Sequence, residues 1–98
     1  MIVRIVKMHF AGQYVADFKV LFDQYKSSIR NQPGCTHLEL YQDRSDAGLF
    51  YTYSHWQNEE SLNNYRGSSL FSIVWPATKI MFDRKPEAHS LNTLHRLG

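Results

Sequence analysis

Several things are scarce in this chain. Its 98 residues include one cysteine, Cys35, three prolines and five glycines. A lone cysteine excludes an internal disulfide framework and a cysteine-rich zinc site, and it suits a reducing, cytoplasmic setting. No apolar run approaches the ~20 residues needed to span a bilayer. The opening Met1-Ile2-Val3-Arg4-Ile5-Val6-Lys7 alternates instead of forming a signal-peptide core. No membrane association is therefore expected. Charge of one sign is also short: 11 Lys+Arg against 9 Asp+Glu leave a net +2, too little to imply nucleic acid or an anionic surface. Repeats, linkers and low-complexity stretches are missing, so residues 1–98 read as one domain. Glycine-rich phosphate loops, a serine elbow and a dinucleotide fingerprint are missing too. The abundance lies in aromatic side chains: six Phe, six Tyr and two Trp, within a chain that is 43% hydrophobic. That composition rules out intrinsic disorder.

Periodicity divides the chain into elements. Residues 2–10 read as a β-branched strand. Tyr14, Phe18, Leu21, Phe22, Tyr25 and Ile29 then fall on one face of a helix spanning 13–31, which Pro33-Gly34 stops. Residues 36–42 and 49–56 flank the turn-forming Asp43–Gly48 segment and make a hairpin. Asn58 caps a short helix to about Tyr65, with Glu59 and Glu60 in its first turn. After Gly67, Ser68 or Ser69 caps a second stretch in which Leu70, Val74, Ala77 and Met81 share a face. Pro76 predicts a kink or break beside Trp75. Residues 87–94 form a last, weaker strand before a fraying tail. Strand–helix–strand–strand–helix–strand is the split βαβ order of an α+β, ferredoxin-like antiparallel sheet with both helices on one face.

The other face of such a sheet should turn polar where it meets water, and it does not. On the first strand one parity carries Ile2, Val6, Met8 and Phe10, the other Val3 and Ile5. On the third, Phe50 and Trp56 alternate with Leu49, Tyr51 and Tyr53. A lone copy would expose a large apolar patch. The expected cover is a second copy packed sheet to sheet, a homodimer, with a bound ligand or nucleic acid as the competing covers. The nucleic-acid reading rests on Tyr51 and Tyr53 as stacking platforms. It fails on the absent RNP1 pattern and the near-neutral charge.

Two groups of residues carry candidate chemistry. His37, Glu39 and Tyr41 share one parity of the second strand, and Tyr51, Tyr53 and His55 share one parity of the third. Paired in register, they place a histidine, a carboxylate and phenols within hydrogen-bonding reach. That cluster suits acid–base work or, alternatively, a polar network inside a dimer interface. The second group starts from Arg4, a cation in a central strand that needs an anion, a ligand or an exit to water. It shares the parity of Val6 and Met8. If those pack on the helices, Arg4 enters a helix-side cavity that Tyr65 and Trp75 also line, a site for a flat, oxygenated aromatic ligand. The alternative is core packing with Arg4 snorkelling to the rim. The five histidines, His9, His37, His55, His89 and His95, include no i, i+4 pair and no HExxH, so no metal site is expected. Cys35 reads as an inert small residue.

The opening Met1-Ile2-Val3-Arg4-Ile5-Val6, the Pro33-Gly34-Cys35 turn into His37-Leu38-Glu39-Leu40, and the stretch Tyr53-Ser54-His55-Trp56-Gln57-Asn58-Glu59-Glu60-Ser61-Leu62 resemble the antibiotic-biosynthesis-monooxygenase (ABM) domain family. Tyr65-Arg66-Gly67-Ser68-Ser69-Leu70-Phe71 continues the likeness. The resemblance implies a ferredoxin-like fold that dimerises through its sheets into an α+β barrel. The family's haem-degrading branch carries an asparagine on the first strand, and a tryptophan and a histidine in the second helical region. Val6, Tyr65 and Trp75 stand there instead, so no axial haem ligand is evident. The cofactor-free branch implies an oxygenase in which the substrate anion itself reduces dioxygen. On that reading no cofactor is needed, and Arg4, Tyr65 and Trp75 are the catalytic candidates. His37, Glu39, Tyr53, His55 and Trp56 are the substrate-binding ones, and the substrate is a small aromatic or quinol-type molecule. The rival expectation is a non-catalytic dimeric barrel that binds a small ligand or serves a stress or regulatory role.

Overall fold

The computed structural model describes Met1–Gly98. The elements run β1 (Ile2–His9), α1 (Val15–Arg30), β2 (Cys35–Gln42), β3 (Leu49–Trp56), α2 (Glu59–Arg66), α3 (Ser69–Lys79) and β4 (Glu87–Leu91), with a short 3-10 turn at Gly12–Tyr14 before α1. The four strands form one sheet in the order β2-β3-β1-β4, antiparallel throughout. This is the expected α+β, ferredoxin-like arrangement. The sheet is open, with β2 and β4 at its edges.

The side chains of β1 sort by parity. Val6, Met8 and Phe10 pack under the helices with Phe18, Phe50 and Met81. Phe10 is fully buried, stacked on Phe18 at 4.0 Å between ring centroids, and Phe18 meets Phe50 edge-on at 5.1 Å. A second cluster joins Cys35, Trp56 and Leu62, with Tyr65 packed against it. Val3, Ile5 and Lys7 occupy the opposite parity, paired with His55, Tyr53 and Tyr51 on β3.

Local chemistry explains the joints. The Asn58 side chain accepts a hydrogen bond from the Ser61 N–H at 2.8 Å, and Ser68 Oγ accepts one from the Phe71 N–H at 3.2 Å. These satisfy otherwise orphaned donors at the starts of α2 and α3. Gly34 leaves α1 with φ +85°, and a Cβ there would lie 2.2 Å from Ser61 Oγ. Only glycine suits both that backbone and that approach to α2. In the β2–β3 turn, Asp43 Oδ2 accepts from the backbone N–H groups of Ser45 and Asp46. His9, at the end of β1, clamps that turn: its Nε2 meets Asp46 at 2.9 Å while its Nδ1 meets Asp83, after α3, at 2.6 Å.

Two local expectations need correction, and one local feature is additional to them. The helix does not break at Pro76; α3 continues to Lys79. Pro76 and Ser72 both lie on the exposed face, so the carbonyl that loses its helical donor is open to water. The last strand ends at Leu91, not at residue 94, because only Glu87–Leu91 find partners on β1. A register shift separates Cys35, opposite Trp56, from His37, opposite His55. This β-bulge turns Cys35 to the helix side while His37 stays on the bare side, although both are odd-numbered.

Candidate functional site

Between the sheet and the helices lies a cavity of about 220 Å³, lined by both core clusters. Arg4, Val6, Thr52, Ser54, Trp56 and Ala88 contribute from the strands, and Tyr65, Phe71, Val74 and Trp75 from the helices. An aromatic arc frames it. Trp56 stacks on Tyr65 at 5.1 Å, Tyr65 meets Phe71 at 5.3 Å, and Phe71 meets Trp75 at 5.7 Å. A dry cavity of about 150 Å³ accepts benzene, so this one has room for a small fused-ring molecule.

Few polar groups face this space. Ser54 Oγ accepts from the Trp56 indole N–H at 3.0 Å, and the Thr78 hydroxyl donates to the Val74 carbonyl at 2.7 Å. Each thereby has one bond within the protein. Arg4 donates through Nη1 to Ser90 Oγ at 2.9 Å on β4. Burial, and then the positive charge of Arg66, lower its pKa from the usual arginine range. Guanidinium ions nevertheless stay charged in proteins. Burial, and then the neighbouring Cys35 thiol, push Tyr65 up to about 12. Tyr65 is therefore a neutral phenol at physiological pH, a hydrogen-bond donor and not a base. No carboxylate or histidine lines the cavity.

The four remaining candidates sit across the sheet. His37 and Glu39 are hydrogen-bonded to each other on β2, and His55 Nε2 shares a 2.8 Å hydrogen bond with the Tyr53 hydroxyl on β3. The His37 and His55 rings lie 5.0 Å apart. Burial first, then the positive charges of His37 and Arg96, lower the His55 pKa, with Glu39 opposing. His55 is therefore neutral at pH 7. The structure thus brings Arg4, Tyr65, Trp75 and Trp56 to one cavity and gathers His37, Glu39, Tyr53 and His55 on the opposite sheet face. Trp56, grouped by the sequence with the hairpin residues, belongs to the cavity because its even parity on β3 points it under α2. No group of three His, Cys, Asp or Glu side chains is arranged to hold a metal ion.

Sequence reasoning missed Arg66. It lines the cavity beside Arg4, and the available signal was its helical spacing from Glu59 and Asn63 on one face of α2. It also missed the His9 clamp, whose partners come from loops 37 and 74 residues away in the chain.

A four-stranded ferredoxin-like sheet with an aromatic cavity under its helices defines the class of this domain. The family model described as "Antibiotic biosynthesis monooxygenase" matches residues 1–72, and the chain belongs to that family. A solved structure described as an antibiotic biosynthesis monooxygenase superposes with a TM-score of 0.91 at 16% identity, covering 97% of this chain and 100% of that one. A mutant of SnoaB, a cofactor-independent oxygenase from Streptomyces nogalater, gives a TM-score of 0.87 at 14% identity over 98% of this chain and 95% of that one. A conserved protein from Methanosarcina mazei Go1 gives 0.86 at 21% identity over 93% and 91%. At these identities the likeness establishes the fold. A comparison with curated proteins finds no match. No helix is long and apolar enough to cross a membrane.

Proposed function

We propose that this chain is a cofactor-independent monooxygenase acting on a small aromatic or quinol-type substrate. The observation that carries this reading is a cavity walled by aromatic rings that holds two guanidinium groups and a neutral phenol donor but no carboxylate or histidine base. Family membership and the shared fold of SnoaB, a cofactor-independent oxygenase, agree with it. An electron-rich phenol or anthrone that ionises in the cavity supplies its own electrons to dioxygen. For an anthrone, the ring methylene becomes a carbonyl. One oxygen atom enters the product, and the other leaves as water with the two displaced hydrogens. The protein's part is to hold the ring against Trp75 and to favour the substrate anion. The Tyr65 O–H donates to the developing oxyanion, and Arg4 supplies positive potential in a site of low dielectric. With no base in the cavity, the proton leaves to solvent from a substrate whose acidity these groups raise.

The working form proposed here is a homodimer in the cytosol. Val3, Ile5, Tyr51, Tyr53 and Leu91 share the face that carries no helix. Tyr41 and Leu91 are 46% and 45% exposed there. A second copy packed against that face, sheet on sheet, buries them. The buried, free Cys35 thiol, its pKa raised by burial, suits a reducing compartment.

A cavity without a base is equally what a non-catalytic binding domain would have, and oxygen uptake separates the two. In metal-free buffer, a panel of quinols and anthrones is expected to include a substrate that consumes oxygen stoichiometrically. Tyr65→Phe should then lower kcat/KM by about 100- to 1,000-fold, the cost of one oxyanion donor. Tight ring binding with no oxygen uptake across the panel contradicts the oxygenase reading and leaves the binding domain.

A further inference from the structure

Two guanidinium groups converge at one end of the cavity. Arg4 and Arg66 line both the aromatic cavity and an adjoining polar recess of about 250 Å³, which Asn63, Ser90, Asn92 and Glu59 also border. None of the chain's five ion pairs includes either arginine or Glu59. Arg4 donates to Ser90; that neutral hydroxyl leaves its charge uncompensated. The fold thus gathers like charges, with Arg66 disfavouring the charge on Arg4, at the junction of an apolar chamber and a polar recess. Such an arrangement is favourable when an anion completes it.

We infer that the substrate carries a carboxylate, held by Arg4 and Arg66 in the polar recess while its aromatic ring fills the cavity. Two arginines against one glutamate leave one positive charge to match, which suits a monoanion and not a dianionic phosphate. The planar guanidinium fork fits a carboxylate with two parallel N–H···O bonds. Asn63 and Asn92 supply further polar groups at the rim. The inference rests on the proposed aromatic site and narrows its substrate class to aryl carboxylates.

Calorimetric titration of the intact protein with three probes of nearly equal shape tests it: 1-naphthoate, neutral 1-naphthalenemethanol and cationic 1-naphthylmethylammonium. The carboxylate should bind at least tenfold more tightly than the alcohol and the ammonium most weakly, with the carboxylate's advantage shrinking as salt is raised. Arg66→Gln, at an exposed helix position, should erase most of that advantage while leaving the alcohol's Kd within about twofold. Arg4→Gln should do the same, with Arg4→Lys retaining part of it, and thermal melts of each variant report folding. Equal binding of carboxylate and alcohol, or an advantage that survives both Gln variants, overturns the carboxylate inference and leaves the aromatic site standing. If none of the three probes binds, the aromatic site falls as well.

Discussion

The two faces of the sheet are built from the same four strands and differ in nearly every property that bears on function. The helix side is aromatic, tightly packed and poor in titratable groups. Its cavity has Arg4, Arg66 and a phenol that stays protonated. The bare side carries His37, Glu39, Tyr53 and His55 as two hydrogen-bonded pairs, flanked by apolar side chains without a helix above them. The groups that look most like acid–base machinery are therefore not those around the enclosed space. Period-2 alternation alone produces this separation, since neighbouring residues on a strand serve opposite faces. On the proposed reading, chemistry in the cavity depends on charge and exclusion of water, and the bare side serves association.

That division can be broken most forcefully through stability. Phe10→Ala removes a fully buried ring stacked on Phe18 and edge-on to Phe50. It should cost about 3–5 kcal/mol in urea unfolding. Tyr41→Ala, on the bare face, should change the unfolding free energy by less than about 1 kcal/mol when the chain is dilute enough to be monomeric. Comparable losses at the two positions would mean that the faces are not energetically distinct.

Association is the next test. Ile5 sits on the central strand β1, paired with Tyr53 and His89 on the uncovered side. Ile5→Asp should weaken dimerisation by about 2 kcal/mol or more, roughly 30-fold or greater, with an unchanged far-UV spectrum. Sedimentation velocity reads this directly. A wild-type chain that sediments as a monomer at micromolar concentration contradicts the proposed pairing.

The smallest expected effect distinguishes two histidines. His9 is raised from the usual histidine value, chiefly by its hydrogen bond to Asp83. Its stabilising contribution is fully present below its unfolded pKa of about 6.5 and is lost as pH rises through the folded value. His55 is lowered, chiefly by burial. Its contribution is present above about pH 6.5 and is lost as pH falls through the folded value. In thermal melts from pH 5 to 9, His9→Gln should therefore cost most on the acid side. His55→Gln should instead lessen the fall in Tm on acidification. Identical pH profiles for the two variants would contradict the opposed environments.

Much of this was legible in the residues. Alternation in Val3-Arg4-Ile5-Val6 puts Arg4 on the side of Val6 and Met8, and helical spacing brings Tyr65 and Trp75 toward the same space. Those signals are local and periodic, and they survive folding. The β-bulge at Cys35/His37 was not legible, because a two-against-one pairing shows only when the partner strand is in place. Pro76 misled because its cost depends on whether the deprived carbonyl faces water, a tertiary property. Asp46 and Asp83 reach His9 only after two loops close. Arg66 was visible as a residue but not as Arg4's neighbour, since their meeting depends on where α2 sits over the sheet.

In the proposed enzyme the ring of the substrate lies under the helices. A crystal structure of the protein with a bound aryl carboxylate tests it most directly. The ring is predicted beside Tyr65 and Trp75, over Val6, with the His37–Glu39 and Tyr53–His55 face buried against a second copy. A ring found on the histidine face, with the cavity under the helices unfilled, would contradict it.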